Sequence, residues 1–192
     1  MVESAPASSL LPEDLGLSFP LPSAALSVCL VPGLRVVSLR HLAGGAAGLD
    51  AVAAAHGLAQ LPGPGTFRGT DPWWVWTGPA EFLLLTTGFA LAQEVCQALA
   101  PGRDALACAL DQSAGCLVLE LKGPGVAHVL QQLLDVNAVP GQAGQGSRTR
   151  LMDIGAVVLR LEHDRTLLVI DRAHGVYVSH WIKHASDGTP LR

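Results

Sequence analysis

The sequence predicts an α+β fold of two similar halves sharing one core, and three observations predict it. Short Val- and Leu-rich runs such as Glu81 to Thr86 and Cys116 to Leu121 have the length and composition of strands. Between them, Leu91, Val95 and Leu99, and then Val126, Val129, Leu130, Leu133 and Leu134, recur at helical spacing. The order of segments then nearly starts again. Each half reads strand, helix, strand, strand, helix, with a further strand visible only in the first half. That order is the ferredoxin-like split βαβ plan, and an internal duplication accounts for it economically. The period is too irregular for a solenoid.

The elements follow in order. Residues 1–24 carry Pro6, Pro12, Pro20 and Pro22 among several serines, which predicts an extended N-terminal arm, disordered alone or ordered along a neighbour. The first half spans 25–112. Leu26 to Leu39 reads as a strand or a bent hairpin broken at Pro32-Gly33. Ala- and Gly-rich Leu49 to Leu58 reads as a helix, stopped by Leu61-Pro-Gly-Pro-Gly65. Trp73 to Trp76 and Glu81 to Thr86 read as strands around a turn at Thr77–Ala80. Phe89 to Leu99 reads as a helix ending at Pro101-Gly102, and Ala105 to Leu110 as a short strand. The second half spans 113–192. Cys116 to Leu121 is a strand, and Gly-Pro before Val126 favours a helix start. A flexible Gly/Gln/Ser loop is expected from Pro140 to Ser147. Leu151 to Leu161 and Arg165 to Ile170 form a hairpin, and a last helix runs from about Gly175 to Ala185.

Composition bounds the function. Of 192 residues, 49% are hydrophobic and only 15% charged, against a usual charged share of about 25%. So few charges predict apolar surface that is either exposed as patches or, the favoured reading, buried against a partner. The net charge of −4, with no window rich in Lys or Arg, disfavours nucleic acid and anionic membrane surfaces. The longest apolar stretch, Ala24 to Val37, is interrupted by Ser27, Pro32, Gly33 and Arg35, short of the ~20 residues that span a bilayer. The start Met1-Val-Glu-Ser lacks a basic, then apolar, leader, so a cytoplasmic protein is expected. Cys29, Cys96, Cys108 and Cys116 form no C-x-x-C pair and read as small hydrophobes in a reducing compartment.

Candidate chemistry is thin. His180 and His184 share a helix face, but no Glu follows the first and no third metal ligand is evident. Asp111 and Ser113, with His128 or His174, suggest a nucleophile. Asp-x-Ser more often closes a turn, and no G-x-S-x-G elbow is present. Gly44-Gly45-Ala-Ala-Gly48 precedes a helix but lacks the Lys-Ser/Thr end of a phosphate loop. Glu162, His163 and Asp164 read as a solvated hairpin tip. The Asp71-Pro-Trp-Trp-Val-Trp76 segment stands apart. On a strand Trp74 and Trp76 share one face and Trp73 takes the other. Trp73, Trp74 and Trp76 are therefore interface candidates, or tryptophans covered by a helix of the same chain.

Several motifs resemble one family. These are Trp76-Thr-Gly-Pro-Ala-Glu-Phe-Leu-Leu84, Asp111-Gln-Ser113, Leu121-Lys-Gly-Pro124 followed by Val129-Leu-Gln-Gln-Leu133, Arg148-Thr149-Arg150, and Val169-Ile-Asp-Arg172 through Tyr177 to Trp181. In order and spacing they resemble the gamma subunit of heterotetrameric sarcosine oxidase and of related N-methyl amino-acid oxidoreductases. That family is similar to the folate-binding part of the glycine-cleavage aminomethyltransferase, so the resemblance implies an aminomethyltransferase-like fold. It implies an accessory, structural chain in a cytoplasmic complex that oxidatively demethylates sarcosine or a related amine. Alpha and beta subunits would hold FAD, FMN and NAD, the alpha subunit tetrahydrofolate, and a small delta subunit would complete the assembly. No catalytic, cofactor or metal residue carries over onto this chain. The Lys-Gly-Cys-Tyr-x-Gly-Gln-Glu signature of folate-dependent iron–sulfur assembly proteins is absent. The second function in view is a folate-like ligand binder with a cleft between its halves, and the third an independent transferase or hydrolase.

Overall fold

The computed structural model describes residues 16, 21–22, 26–58, 60–100 and 106–187. Apart from Gly16, Leu21 and Pro22, the expected arm over 1–24 lies outside them, as does the Pro101-Gly102 stop. Eleven strands are described: β1 (Leu21–Pro22), β2 (Ser27–Leu30), β3 (Arg35–His41), β4 (Phe67–Arg68), β5 (Trp73–Gly78), β6 (Glu81–Thr86), β7 (Ala107–Asp111), β8 (Cys116–Lys122), β9 (Gly146–Leu151), β10 (Ile154–Glu162) and β11 (Arg165–Asp171). Four helices accompany them: α1 (Ala46–Ala55), α2 (Phe89–Ala98), α3 (Val126–Leu133) and α4 (Gly175–Asp187).

The strands form two antiparallel sheets, ordered β4-β5-β6-β3-β7 and β1-β2-β8-β11-β10-β9. Strand alternation sends each strand's apolar residues to two opposite faces. Val36, Val75, Leu83 and Leu85 of the first sheet meet Val118, Val157, Leu167 and Val169 of the second in an inter-sheet layer. The outer face of the first sheet packs Val37, Leu39 and Leu84 under Leu49 and Ala53 of α1 and Ala92 and Val95 of α2. The outer face of the second packs Leu119, Leu121, Val158 and Leu168 under Val129, Leu130 and Leu133 of α3 and Val178, Ile182 and Ala185 of α4. The molecule is thus α+β in four layers, helices outside and sheets inside.

One pairing scheme serves both sheets. β4-β5-β6-β3-β7 matches β9-β10-β11-β8-β2 strand for strand, with α1 and α2 placed along the chain as α3 and α4 are. β2 is the exception in chain order. Ser27 to Leu30 pairs with Lys122 to Leu119 of β8. The expected hairpin over Leu26–Leu39 is therefore two strands that part at Pro32-Gly33 into different sheets, and residues before that turn, expected in the first half at 25–112, lie in the sheet of the second. This supplies the strand that the second half lacked in sequence.

Two boundaries also differ from expectation. α1 ends at Ala55 because Gly57 takes a positive φ of 82°. The Leu58 and Gly57 amides then close on the carbonyls of Ala53 and Ala54, a glycine-terminated helix end. The loop expected through Ser147 already enters β9 at Gly146, where Arg148 pairs with Val157. Its approach is ordered by the Gln145 side chain, which accepts from the amides of Gly141 and Gln142 at 2.7 and 3.0 Å.

The tryptophans alternate as expected, but the cover differs. Trp74 is 1% exposed inside the layer under α1 and α2, with Trp76 half-buried beside it. Trp73 leans on the inter-sheet layer. Trp74 is therefore corrected from an interface candidate to a core residue, because helices of its own chain cover it. Its indole N–H is buried with no partner among the described residues, so shape and apolar area hold it in place. We predict that Trp74→Ala lowers unfolding free energy by about 3–5 kcal/mol in urea titration, the usual range for deleting a buried aromatic. Trp74→Phe should cost clearly less.

Candidate functional site

A cleft of about 600 Å³ opens at one side of the inter-sheet layer. Val157 and Val169 of the second sheet floor it, and Val36 and Leu83 of the first wall it. Polar groups reach its rim from Gln112, Cys116, Arg148 and Asp171. The size suits a small ligand, and the lining of apolar faces with few polar groups is that of a binding pocket.

The rim is built by turns whose polar groups bind one another. After β7 the chain makes a 3-10 turn over Ser113–Gly115. Asp111 Oδ1 accepts from the Ser113 amide at 2.9 Å and from the Ser113 hydroxyl. Ser113 Oγ in turn accepts from the Val36 amide at 2.9 Å. Arg35 pairs with the other carboxylate oxygen of Asp111 and lies 5.0 Å over the Phe89 ring. Burial alone would raise the Asp111 pKa, but hydrogen bonds from Ser113 and Arg35 prevail and hold it below its usual 3.8. Asp171 accepts from the Ala173 amide at 2.8 Å and starts the turn Arg172–His174. Arg172 donates from Nε to the Ala114 carbonyl at 2.8 Å and so ties the two turns together. Burial pushes the Cys116 thiol up, with the Asp171 charge adding to the shift.

Across the cleft, Glu81 receives Arg40 of its own sheet at 2.6 Å and Arg148 of the other at 2.9 Å. These ion pairs are solvent-exposed, so they set register more than stability. Arg160 is the one charged residue among the described buried polar groups. It donates to the carbonyls of Pro140 and His163, both at 2.7 Å, and so staples the loop before β9 to the β10–β11 turn. Its burial had no signal in the sequence, where Leu159-Arg-Leu161 reads as an ordinary alternating strand.

The other candidates separate. Ser113 spends its hydroxyl proton on Asp111, and no histidine bonds to it among the described residues, so Asp111 and Ser113 form a turn lock. His128 is exposed on α3. His180 and His184 are exposed on α4, and His184 packs edge-on against Trp181 at 6.0 Å. Among the described residues no group of three His, Cys, Asp or Glu gathers as metal ligands. Gly45 is buried, and a Cβ there would strike the Leu106 carbonyl, so the glycine run serves close packing. At the hairpin tip, Glu162 pairs with Arg165 at 3.3 Å, while His163 and Asp164 are exposed. No disulfide joins the four cysteines: Cys108 is exposed, and Cys29, Cys96 and Cys116 are half-buried.

No family model matches the sequence, and no curated protein does. Solved structures do. A chain of heterotetrameric sarcosine oxidase from Corynebacterium sp. U-96, determined in complex with pyrrole 2-carboxylate, superposes with a TM-score of 0.76 and 25% identity, covering 90% of this chain and 89% of that one. Aminomethyltransferase T of the glycine cleavage system from Bartonella henselae superposes with a TM-score of 0.56 and 15% identity over 83% of this chain. The match covers 46% of that protein, so this chain spans about half of it and shares its fold. The resemblance seen in the motifs is thus present in three dimensions.

Two outcomes are expected from the rim. A carboxyl whose pKa is lower folded than unfolded adds stability above its unfolded pKa and loses it as pH falls through the folded one. Asp111→Asn should therefore flatten the loss of unfolding free energy below about pH 4, where the wild-type Asp111 is protonated on unfolding and then in the folded chain. Iodoacetamide at mildly alkaline pH should label Cys108 first, and Cys96 and Cys116 at least about ten-fold more slowly, as burial keeps their thiols protonated and shielded. Peptide mass mapping reads the order.

Proposed function

We propose that this chain is the accessory gamma subunit of a heterotetrameric flavoenzyme of the sarcosine oxidase type, contributing structure and no active site of its own. The observation that carries the reading is the match to a chain of that oxidase over nine-tenths of both lengths at 25% identity. The rim supports it: of its polar lining residues Asp171 caps a turn and Arg148 is paired with Glu81, and the neighbouring Asp111, Ser113 and Arg172 are committed to holding turns. In this reading alpha and beta subunits carry FAD, FMN and NAD, the alpha subunit carries tetrahydrofolate, a small delta subunit completes the assembly, and the complex is cytoplasmic. No helix among the described residues is long and apolar enough to cross a membrane. Each half is read as a ferredoxin-like split βαβ unit. The order β5-β6-β3-β7 supports this for one half, and β10-β11-β8-β2, with β2 lent from the N-terminal side, for the other.

Trp73 and Trp76 remain interface candidates, since both keep part of their surface open. The cleft of about 600 Å³ between the sheets favours a second reading, a folate-like ligand binder. Two measurements part the readings. Purified from native extract, the chain should co-elute in gel filtration with larger chains and their flavin absorbance. A monodisperse monomer that leaves those chains unbound contradicts the accessory reading. Titration calorimetry of the isolated chain with tetrahydrofolate should give no heat; saturable binding favours the second reading.

A further inference from the structure

Of the described residues that line the cleft between the sheets, Arg148 and Asp171 carry full charges. Neither is fully engaged. Arg148 donates from Nη1 to Glu81 at 2.9 Å, and its Nε and Nη2 enter no hydrogen bond or ion pair among the described residues. Glu81 also holds Arg40 at 2.6 Å. One carboxylate thus answers two guanidiniums, and one positive charge is left over at that end of the cleft. Asp171 accepts the Ala173 amide on Oδ1, and its Oδ2 has no hydrogen-bond partner among the described residues.

Strand register places the two charges. Arg148 stands opposite Val157, and Val157 opposite Val169. Asp171 follows two residues beyond Val169 on β11. Residues directly opposite, and residues two apart on one strand, share a face of the sheet. Arg148, Asp171 and Gly155 therefore look into the same inter-sheet space as Val157 and Val169. Two strand spacings and two residues of rise put the Cα atoms of Arg148 and Asp171 about 12 Å apart. The ground between them is apolar and open. Val157 and Val169 floor it, and Val36 and Leu83 wall it. Gly155 adds no side chain, and a Cβ there would meet nothing within 4 Å. A cation and an anion thus face each other across a clear apolar floor, so the charges of a matching ligand are held apart by a short body and do not share one carbon.

We propose that this cleft binds a small zwitterion, an amino acid whose carboxylate and ammonium stand at opposite ends of an apolar body, the carboxylate on Arg148 and the ammonium on Asp171. Each end meets an opposite charge with an unused donor or acceptor, and the body lies over Val157, Val169 and the open face of Gly155. Tetrahydrofolate fits this charge pattern less well, because Asp171 repels a second carboxylate. The Cys116 thiol beside Asp171 is kept protonated by burial and by that charge, so the site binds its ligand without forming a bond to it. Binding needs no other chain, so this inference stands apart from the accessory reading.

Titration calorimetry of the full chain tests it with 4-(aminomethyl)benzoate and two single-charge relatives on the same ring, 4-methylbenzoate and 4-methylbenzylamine. The zwitterion should bind saturably, and each relative about ten-fold more weakly, the worth of one hydrogen bond to a charged group. Arg148→Gln should remove the advantage of the zwitterion over 4-methylbenzylamine and leave its advantage over 4-methylbenzoate. Asp171→Asn, which keeps an oxygen for the Ala173 amide, should do the reverse. A general loosening of the fold does not produce this crossed pattern, and the three ligands on the unaltered chain decide the matter even where a variant is unstable. No saturable heat from the zwitterion, or 4-methylbenzoate bound as tightly, overturns the proposal. Preferences that neither variant changes place the zwitterion elsewhere on the chain and overturn it as well. Each of these failures leaves the accessory reading standing, since co-elution with flavin-bearing chains decides that reading separately.

Discussion

The face-to-face contact of the two sheets is the constraint on which the rest depends. Because Val36, Leu83 and Leu85 must meet Val118, Val157, Leu167 and Val169 inside, each sheet's other face needs a separate cover of helices. Three apolar layers then have to be filled by 192 residues. Central strands accordingly lose the in-out alternation of an exposed sheet. Phe82 to Thr86, Val157 to Leu159 and Leu167 to Ile170 are buried throughout. The scarcity of charge follows largely from this demand. It is weaker evidence for a partner than composition alone suggests, and the case for a partner passes to the structural match.

The same constraint shapes the cleft. The sheets overlap incompletely, and where they part, their inner faces become floor and wall of an open pocket instead of core. Of the polar residues that line it, Arg148 is paired with Glu81 and Asp171 caps a turn, and the groups next to them are bound as well. Ser113 is locked between Asp111 and the Val36 amide, Arg172 between two turns, and Glu81 between two arginines. Such groups can orient a ligand or brace an assembly. The base in reach of Ser113 is Asp111, whose carboxylate is paired with Arg35 and held below its usual pKa, so it is a poor acceptor for the hydroxyl proton.

Local structure was largely legible in the sequence because it is written in local periodicity. Val126, Val129, Leu130 and Leu133 fall on one buried face of α3 as their spacing requires. The Asp111–Ser113 turn was legible from side-chain chemistry within two residues. What depends on distant pairing was not. The transfer of β2 to the second sheet depends on β8, about ninety residues on, and nothing in Ser27–Leu30 itself marks it. β9 is polar: its first two residues fall in the loop expected over Pro140–Ser147 and Arg148–Arg150 carry no strand pattern, since only pairing with β10 makes Gly146–Leu151 a strand. Arg35 and Asp111 are 76 positions apart, so their ion pair had no local signal. Trp74 shows the divide within one residue: alternation gave its face, while the helices that cover that face are a tertiary fact.

Sarcosine-dependent oxygen uptake tests the central claim, a structural chain without chemistry of its own, most directly. The isolated chain should show none. In the assembled complex, Cys116→Ala together with Asp171→Asn, which alter the cleft rim, should leave kcat unchanged. Turnover by the isolated chain, or a collapse of kcat in the assembled double variant with assembly intact, would contradict the account.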